Sequence, residues 1–252
     1  LSSEFDKKFS DRTIARRLAS VKSYFKFMVK SEQIHINPSE NIRSPKIARS
    51  LPNNGVIEGK LPDDDIKNLW KLIDEAKKKP DDMRNELAGN ITSSIRLDAQ
   101  SPLMETFMKE TLNSFVKKHI EAYGAPIRLE IKEGQTLAVD SFWVNFQKQT
   151  EFNPMHDHAG VYSFVIWMQI PTSFEEQRKL PITINSNAST QISNFSFIYV
   201  DILGKMKSFA YNMEKEAEGY MVLFPSSLHH LVNPFYDNDG ERISISGNIS
   251  VQ

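Results

Sequence analysis

The sequence predicts an α+β fold in which helices come first and a β-rich body follows. Up to about residue 125, apolar residues recur every three or four positions, which is the period of an amphipathic helix. From about residue 126 they alternate with polar residues, and turn residues separate most of the runs, which is typical of strands. Eight strands of this kind would form a double-sheet jelly roll with flanking helices, preceded by a small helical segment.

Composition limits the classes of protein and site. Charged residues make up 25% and hydrophobic residues 40% of the 252 residues, which is ordinary for a globular protein. No apolar run approaches the roughly 20 residues that span a bilayer, and the first residues lack the apolar core of a signal peptide. There is no cysteine, so disulfide scaffolds, iron–sulfur clusters and cysteine nucleophiles are excluded. Any metal must be held by His, Asp or Glu.

The net charge of −1 hides two oppositely charged parts. Residues 1–54 carry 11 Lys+Arg against 5 Asp+Glu, a balance of +6, and residues 55–252 carry 20 against 27, a balance of −7. This asymmetry predicts two domains, a basic helical segment at 1–54 and an acidic body at 55–252. A solvated helix face is the alternative explanation of the positive charge.

The basic segment begins with a predicted helix. Ser10 or Asp11 is the candidate N-cap, and one apolar stripe follows. Asn37-Pro38 begins a second, short helix with proline at its first position. The apolar stripe comprises Ile14, Leu18, Val21, Phe25 and Met28.

Residues 12–54 resemble the end of the N-terminal, SAM-like domain of tyrosine recombinases. The resemblance rests on Ala15-Arg16-Arg17-Leu18, on Asn37-Pro38 and on Ser44-Pro45-Lys46. It implies helices that bind DNA through contacts with its phosphates. Nothing after residue 55 fits the catalytic domain of that family. A fusion remnant, a gene-assembly artefact and a borrowed helical module therefore remain open.

Two helices are predicted in the acidic body before its strands. The first opens at Leu61-Pro62 with Asp63 in its first turn, where acidic side chains suit the helix dipole, and it closes before Pro80. The second opens at Ser101-Pro102 and stops at Gly124. Lone His119 on this second helix is predicted to be a packing or surface residue rather than a metal ligand. The candidate strands are 126–132, 137–147, 160–170, 182–186, 195–202, 206–212, 219–224 and 242–250.

Four of the six histidines form two clusters that predict a metal site. His156 and His158 are two residues apart, so on an extended strand they share a face. A third ligand from a distant strand, His229 or His230, would complete a facial set with open coordination positions. Two pairs of surface histidines are the alternative.

Arg242 begins an alternating stretch that predicts an anion site. In Arg242-Ile243-Ser244-Ile245, the Arg and Ser side chains share one face of the strand. An inward guanidinium is costly unless it meets an anion, and a carboxylate is its natural partner. Ser244 would add a hydroxyl. The alternative is a surface Arg paired with an acidic residue.

These motifs resemble the iron(II)/2-oxoglutarate-dependent oxygenase superfamily, in which the fold is a cupin-like double-stranded β-helix. The sequence is similar to oxygenases of tailed marine phages and related bacterial proteins over about residues 60–249. The resemblance implies that His156, His158 and His230 bind the metal, and that Arg242 and Ser244 bind the far carboxylate of 2-oxoglutarate. The matching stretches are SFWVNFQKQTEFNPMHDHAGVYSFVIWMQIP, FIYVDILGK and GYMVLFPSSLHHLVNPFYDNDGERISISGNI.

The main departure from the family pattern is His158, which stands where Asp or Glu is usual. Asp157 could ligate instead if the strand were irregular, but the i,i+2 geometry favours His158. Asn145 and Gln147, on an earlier strand, could reach the cofactor or the substrate. The segment 172–191 could form a loop over the site.

The resemblance implies an Fe(II)/2-oxoglutarate-dependent dioxygenase, a hydroxylase that converts 2-oxoglutarate into succinate and carbon dioxide as it oxidises its substrate. The substrate, a small molecule or a peptide, is not named by the sequence. The expected location is the cytoplasm of a bacterial or phage-infected cell, with no membrane association. The alternatives are a cupin-like metal protein without 2-oxoglutarate, a β-sandwich binding module, and a DNA-binding protein acting through residues 1–54.

Overall fold

The computed structural model describes residues 11–40, 42, 55–126, 132, 135–184, 191–201 and 203–252. By its contacts the chain divides into two compact units, Leu1–Ser50 and Leu51–Gln252. None of the helices in these described ranges is long and apolar enough to cross a membrane.

The described part of the first unit is a helix followed by a turn. Helix α1 covers Asp11–Lys30, so the predicted helix is confirmed. Its apolar side chains Val21, Tyr24 and Phe27 are exposed. The Asn37 side-chain carbonyl accepts hydrogen bonds from the Ser39 amide (3.0 Å) and hydroxyl (2.7 Å), which caps a turn rather than a continuing helix. Residues 1–10 and 43–54, on which other predictions fall, lie outside the described ranges.

The two helical stretches that the sequence predicts in the second unit begin and end close to the predicted residues. Helix α2 covers Asp63–Lys78 and has three aspartates in its first turn. Ser101 caps α3, Pro102–Phe107, by accepting a hydrogen bond from the Met104 amide at 3.2 Å. A π-helical turn at Met108–Leu112 joins α3 to α4, Asn113–Tyr123, and Gly124 ends α4 with a φ of 80°. The remaining helical segments are α5 at Phe174–Gln177 and 3₁₀ turns at Arg84–Glu86 and Lys215–Ala217.

The described residues form ten strands in two antiparallel sheets. The larger sheet has the order β1-β8-β5-β10-β3-β2 and the smaller one β4-β9-β6-β7. The strands are β1 Ile57–Lys60, β2 Ser94–Arg96, β3 Leu137–Gln147, β4 Asn153–His156, β5 Tyr162–Gln169, β6 Asn194–Val200, β7 Met206–Asn212, β8 Tyr220–Pro225, β9 His230–Val232 and β10 Arg242–Val251. From β3 onward the chain passes between the two sheets, except at the β6–β7 hairpin. These eight strands form the predicted jelly roll, and β1 and β2 extend the larger sheet.

The larger sheet is buried on both faces. On one face, Phe164 of β5 and Ile245 of β10 pack in a cluster with Ile73 of α2 and Phe115 of α4. On the other face, Trp167 joins aromatic residues of the smaller sheet. Strand β5 is therefore buried at every position but its last, as expected for a strand between two layers. Ser244 of β10 pairs with Trp167, so it lies on the face of the larger sheet that is directed toward the smaller sheet.

One predicted strand differs from the structure, and a second falls mostly on residues that the structure does not describe. The strand predicted at 182–186 is wrong in its described part, because residues 181–184 form turns held by a hydrogen bond from the Thr183 amide to the Leu180 carbonyl (2.9 Å). The strand predicted at 126–132 falls largely outside the described ranges. Strands β1, β2, β4 and β9 were not predicted, since three or four residues are too few to show a period.

Candidate metal and anion site

Three histidines predicted as ligands converge at one point between the sheets. His156 ends β4 and His230 begins β9, and the two strands pair with these residues opposite each other. His158 lies two residues beyond His156. One ring nitrogen from each of the three lies within 4.8 Å of the others. The ring centroids are 4.3 to 5.0 Å apart. This spacing suits three ligands of one metal ion.

Hydrogen bonds prepare two of these rings as ligands. His156 Nδ1 lies 2.7 Å from the Pro154 carbonyl oxygen, and His230 Nδ1 lies 2.9 Å from the Leu228 carbonyl oxygen. A carbonyl can only accept, so each Nδ1 carries the proton and donates. The lone pair is then on Nε2, which is the form that binds a metal.

The electrostatic surroundings keep the imidazoles of His158 and His230 neutral. Burial, followed by the neighbouring His156 ring, lowers the pKa of His230 to about 3. The same two causes lower the pKa of His158 to about 4. Near neutral pH both rings therefore carry a lone pair for a metal rather than a second proton.

The alternative ligands lie outside this cluster. Asp157 and His229 are exposed, whereas His230 is only 4% exposed. The backbone of His158 is fixed by its amide, which donates to the Ser226 carbonyl oxygen at 2.9 Å. Buried Ser226 is itself held by its hydroxyl, which donates to the Gly160 carbonyl at 2.6 Å. The strand turns after β4 so that His158, not Asp157, joins the other two rings.

Arg242 lines the same cavity between the sheets as the three histidines and is 2% exposed. Its Nη1 donates to Gln147 Oε1 and to the Asn233 carbonyl oxygen, both at 3.3 Å, and its Nη2 donates to Ser193 Oγ at 2.8 Å. The Phe235 ring lies 5.0 Å away. Its buried Nε has no hydrogen-bond partner, and no described carboxylate pairs with the guanidinium. Burial lowers the pKa of Arg242 to about 9. A buried cation without an acidic partner is expected to bind an anionic ligand.

The predicted polar neighbours of Arg242 also face this cavity. Strand β10 pairs with β3 so that Arg242 lies opposite Gln147, and Ser244 lies opposite Asn145. The Asn145 side-chain oxygen accepts a hydrogen bond from the Ser94 hydroxyl at 2.7 Å. Its amide NH₂ is therefore oriented by β2, a strand that the sequence did not predict.

One cavity of about 180 Å³ contains both groups of residues. It lies between the sheets and is lined by the three histidines, by Arg242 and Ser244, and by Asn145 and Gln147. The segment 172–191 does not line it in its described part. Residues Glu86–Gly89 and Ile91 form part of the wall instead, and backbone hydrogen bonds between Asn90 and Phe152 hold this segment against the start of β4.

Sequence reasoning missed three groups that contact Arg242: Ser193, the Asn233 carbonyl and Phe235. Ser193 precedes β6, and the other two lie in the loop between β9 and β10. No local pattern marks them, because each acquires its role from strand pairing. A positive φ of 43° at Ser193, a residue type that seldom adopts it, is visible only in the structure.

A protein-family model matches the part of the chain that contains this site. Residues 141–248 match the family described as "Putative 2OG-Fe(II) oxygenase". The match includes all three histidines, Arg242, Ser244 and Asn145. The cofactors of this family are Fe(II) and 2-oxoglutarate. Three imidazole nitrogens are suitable ligands for Fe(II), and the buried guanidinium of Arg242 is a suitable partner for a carboxylate of 2-oxoglutarate. The resemblance predicted from the sequence is confirmed for this part of the chain.

One solved structure with a TM-score of 0.50 has a similar fold, and a second aligns with a lower score. The α-ketoglutarate-dependent epimerase SnoN from nogalamycin biosynthesis aligns over 79% of this chain and 78% of its own, with a TM-score of 0.50 and 12% identity. A Pseudomonas putida prolyl-4-hydroxylase aligns over 78% of this chain and 92% of its own, with a TM-score of 0.47 and 13% identity. At such identity the likeness concerns the double-stranded β-helix alone.

The second resemblance is also confirmed. Tyrosine recombinase XerC from Herpetosiphon aurantiacus is 45% identical over 47 residues, which are 19% of this chain and 15% of the recombinase. XerC from Chlamydia muridarum is 48% identical over 44 residues, 18% of this chain and 14% of the recombinase. The chain thus spans about one seventh of the length of the curated relatives it matches.

Proposed function

We propose that this chain, whose residues 141–248 match the family described as "Putative 2OG-Fe(II) oxygenase", hydroxylates an organic substrate in an Fe(II)- and 2-oxoglutarate-dependent reaction. The observation that carries the proposal is one cavity that contains three convergent histidines and a buried arginine without an acidic partner among the described residues. A metal and a dicarboxylate would satisfy both groups together. A cupin-like protein without 2-oxoglutarate would leave the Arg242 charge uncompensated.

In this proposal one ring nitrogen each of His156, His158 and His230 holds Fe(II). The Pro154 and Leu228 carbonyls keep the Nδ1 protons of His156 and His230 in place, so the rings need no rearrangement to ligate. When bound, Fe(II) and 2-oxoglutarate supply the oxygen chemistry that the protein side chains cannot perform.

Arg242 and Ser244 would bind the far carboxylate of 2-oxoglutarate. A guanidinium binds a carboxylate through two parallel N–H groups, and its burial strengthens that pair because water does not screen it. Asn145 lies on the adjacent strand, opposite Ser244, and would orient the cofactor or the substrate through its NH₂ group. The wall formed by Trp143, Val165 and Phe224 would exclude water from the reacting atoms.

The test is anaerobic addition of Fe(II), followed by titration with 2-oxoglutarate and observation of the visible charge-transfer band of the chelate. We expect a saturable band in the wild type and its loss in His230→Ala, because that substitution removes a metal ligand. His229→Ala is the matched control and should retain the band, since His229 is exposed. A wild-type protein that binds Fe(II) and shows no response to 2-oxoglutarate would contradict the proposed function.

The substrate is the second part of the proposal and includes small molecules and peptides. Incubation of candidate mixtures with Fe(II), 2-oxoglutarate and oxygen should give a product heavier by one oxygen atom, together with succinate. We place the reaction in the cytoplasm of a bacterial or phage-infected cell, which rests on the resemblance to phage and bacterial oxygenases.

We also propose DNA contact by the first unit, on the basis of its similarity to the recombinases. If α1 contacts phosphates, replacement of Lys22, Lys26 and Lys30 by Gln should weaken DNA binding for all sequences. The slope of log K against log salt should become shallower by about 0.9 for each phosphate that α1 no longer neutralises. Fluorescence anisotropy at several salt concentrations measures this slope. The control variant removes three positive charges from the second unit, by replacement of Lys109, Lys117 and Lys118 with Gln. Equal losses of DNA affinity in both variants would argue against a DNA site on α1.

A further inference from the structure

Ser193, which accepts a hydrogen bond from Arg242, has a backbone conformation that is unusual for serine. It lies just before β6, is 0% exposed and has a φ of 43°, in the left-handed region that favours glycine. Serine at such a position is strained unless the surrounding structure fixes it, and strain of this kind is found at functional sites. A glycine would avoid the strain, so the side chain of Ser193 requires an explanation.

The backbone of Ser193 is held from two sides. Its amide donates to the Pro234 carbonyl oxygen at 2.8 Å, and its own carbonyl accepts from the Met213 amide at 3.0 Å. The first bond ties it to the β9–β10 loop and the second to the end of β7. These contacts fix the left-handed conformation, which aims the hydroxyl at Arg242.

The hydroxyl of Ser193 lies between two polar groups. Its Oγ accepts the hydrogen bond from Arg242 Nη2 at 2.8 Å, and it shares a second hydrogen bond with the Thr172 hydroxyl at 3.1 Å. Thr172 and Ser193 are both buried. Among the hydrogen bonds that Arg242 donates to described residues, the one to Ser193 is the shortest. The other two, to Gln147 and the Asn233 carbonyl, are 3.3 Å long.

We propose that Ser193 is a positioning residue, which holds the Arg242 guanidinium so that its remaining N–H groups face the far carboxylate of 2-oxoglutarate. The inference rests on the proposed function. Because the guanidinium has five N–H donors and three are taken by neutral acceptors, its orientation decides which donors remain for the anion. Without the Ser193 hydroxyl, two long hydrogen bonds and the Phe235 ring would remain to orient it.

The test compares Ser193→Ala and Ser193→Gly in the full chain loaded with Fe(II) under anaerobic conditions. Both variants delete the hydroxyl, and only the second relieves the backbone strain. We therefore expect the Gly variant to unfold at a higher temperature than the Ala variant. Both should need about tenfold more 2-oxoglutarate to develop the charge-transfer band, as expected when a hydrogen bond to a charged group is removed.

A second ligand separates positioning from general damage to the cavity. 2-Oxobutyrate has the chelating 2-oxo acid group but no far carboxylate, so its affinity should be unchanged in both variants. Ser196→Ala is the matched control, because it removes a buried hydroxyl of β6 that donates to Asn194 and does not contact Arg242. It should leave both affinities unchanged.

The outcomes are distinguishable. A normal 2-oxoglutarate affinity in both Ser193 variants would overturn the inference and leave the proposed function intact. Equal weakening of both 2-oxo acids would also overturn it, since that pattern indicates a damaged cavity rather than a misplaced guanidinium. A wild-type protein that does not respond to 2-oxoglutarate would remove the proposed function and, with it, this role for Ser193.

Discussion

Arg242→Met is expected to weaken 2-oxoglutarate binding by roughly 30- to 4,000-fold, because truncating one partner of a buried charge pair costs about 2–5 kcal/mol. Methionine fills much of the arginine volume without a charge. The measurement is the 2-oxoglutarate concentration that half-saturates the charge-transfer band. The affinity for 2-oxobutyrate should stay unchanged, since that acid has no carboxylate to meet the arginine.

The same substitution should not destabilise the protein in the absence of ligand. In the described residues the Arg242 charge has only neutral hydrogen-bond acceptors, so its desolvation is poorly compensated. We expect the ligand-free variant to unfold at the wild-type temperature or above it. Addition of 2-oxoglutarate with Fe(II) should raise the unfolding temperature of the wild type and have little effect on the variant. A large loss of ligand-free stability would mean that Arg242 is chiefly a structural residue.

The parts of the fold that the sequence predicts are those with a long enough period. Strands β3 and β7 were predicted to the residue, because alternating side chains continue over 11 and 7 positions between turn residues. Helix α2 was also predicted, from its acidic first turn and its closing proline. Strands β4 and β9 have four and three residues, and they form only because each finds a partner in the smaller sheet. Such pairing is tertiary and has no local pattern.

The residues of the candidate site also fall into those that the sequence pattern predicts and those that it does not. His156, His158 and Arg242 could be selected from spacing and alternation alone, since residues i and i+2 of a strand share a face. His230 could not be separated from His229 by spacing, and the distinction came from the family resemblance; in the structure His230 is buried and His229 is exposed. Ser193 could not be found at all. Its position beside Arg242 depends on β6, on the β9–β10 loop and on a backbone angle.

Substitution of His158 and of Asp157 tests which of the two residues binds the metal. His158→Ala is expected to lower Fe(II) affinity by at least about 100-fold. Loss of a residue that only hydrogen-bonds to a metal ligand already costs about 10- to 100-fold in metal affinity, and loss of the ligand itself should cost more. Asp157→Ala should bind Fe(II) as the wild type does, because Asp157 is exposed and lies outside the histidine cluster. Anaerobic equilibrium dialysis measures both affinities. The reverse order of losses would make Asp157 the ligand.

His158→Asp tests what a third imidazole does in place of the usual carboxylate. Three neutral rings leave the full charge of Fe(II) uncompensated, whereas an aspartate would remove one unit of it. The wild-type centre should therefore attract the dianion 2-oxoglutarate more strongly than the variant does, and the difference should shrink as salt rises. We expect His158→Asp to retain Fe(II) and to need more 2-oxoglutarate to saturate the band. Tighter 2-oxoglutarate binding in the variant would show that ligand geometry, rather than the charge of the centre, controls cofactor affinity in this cavity.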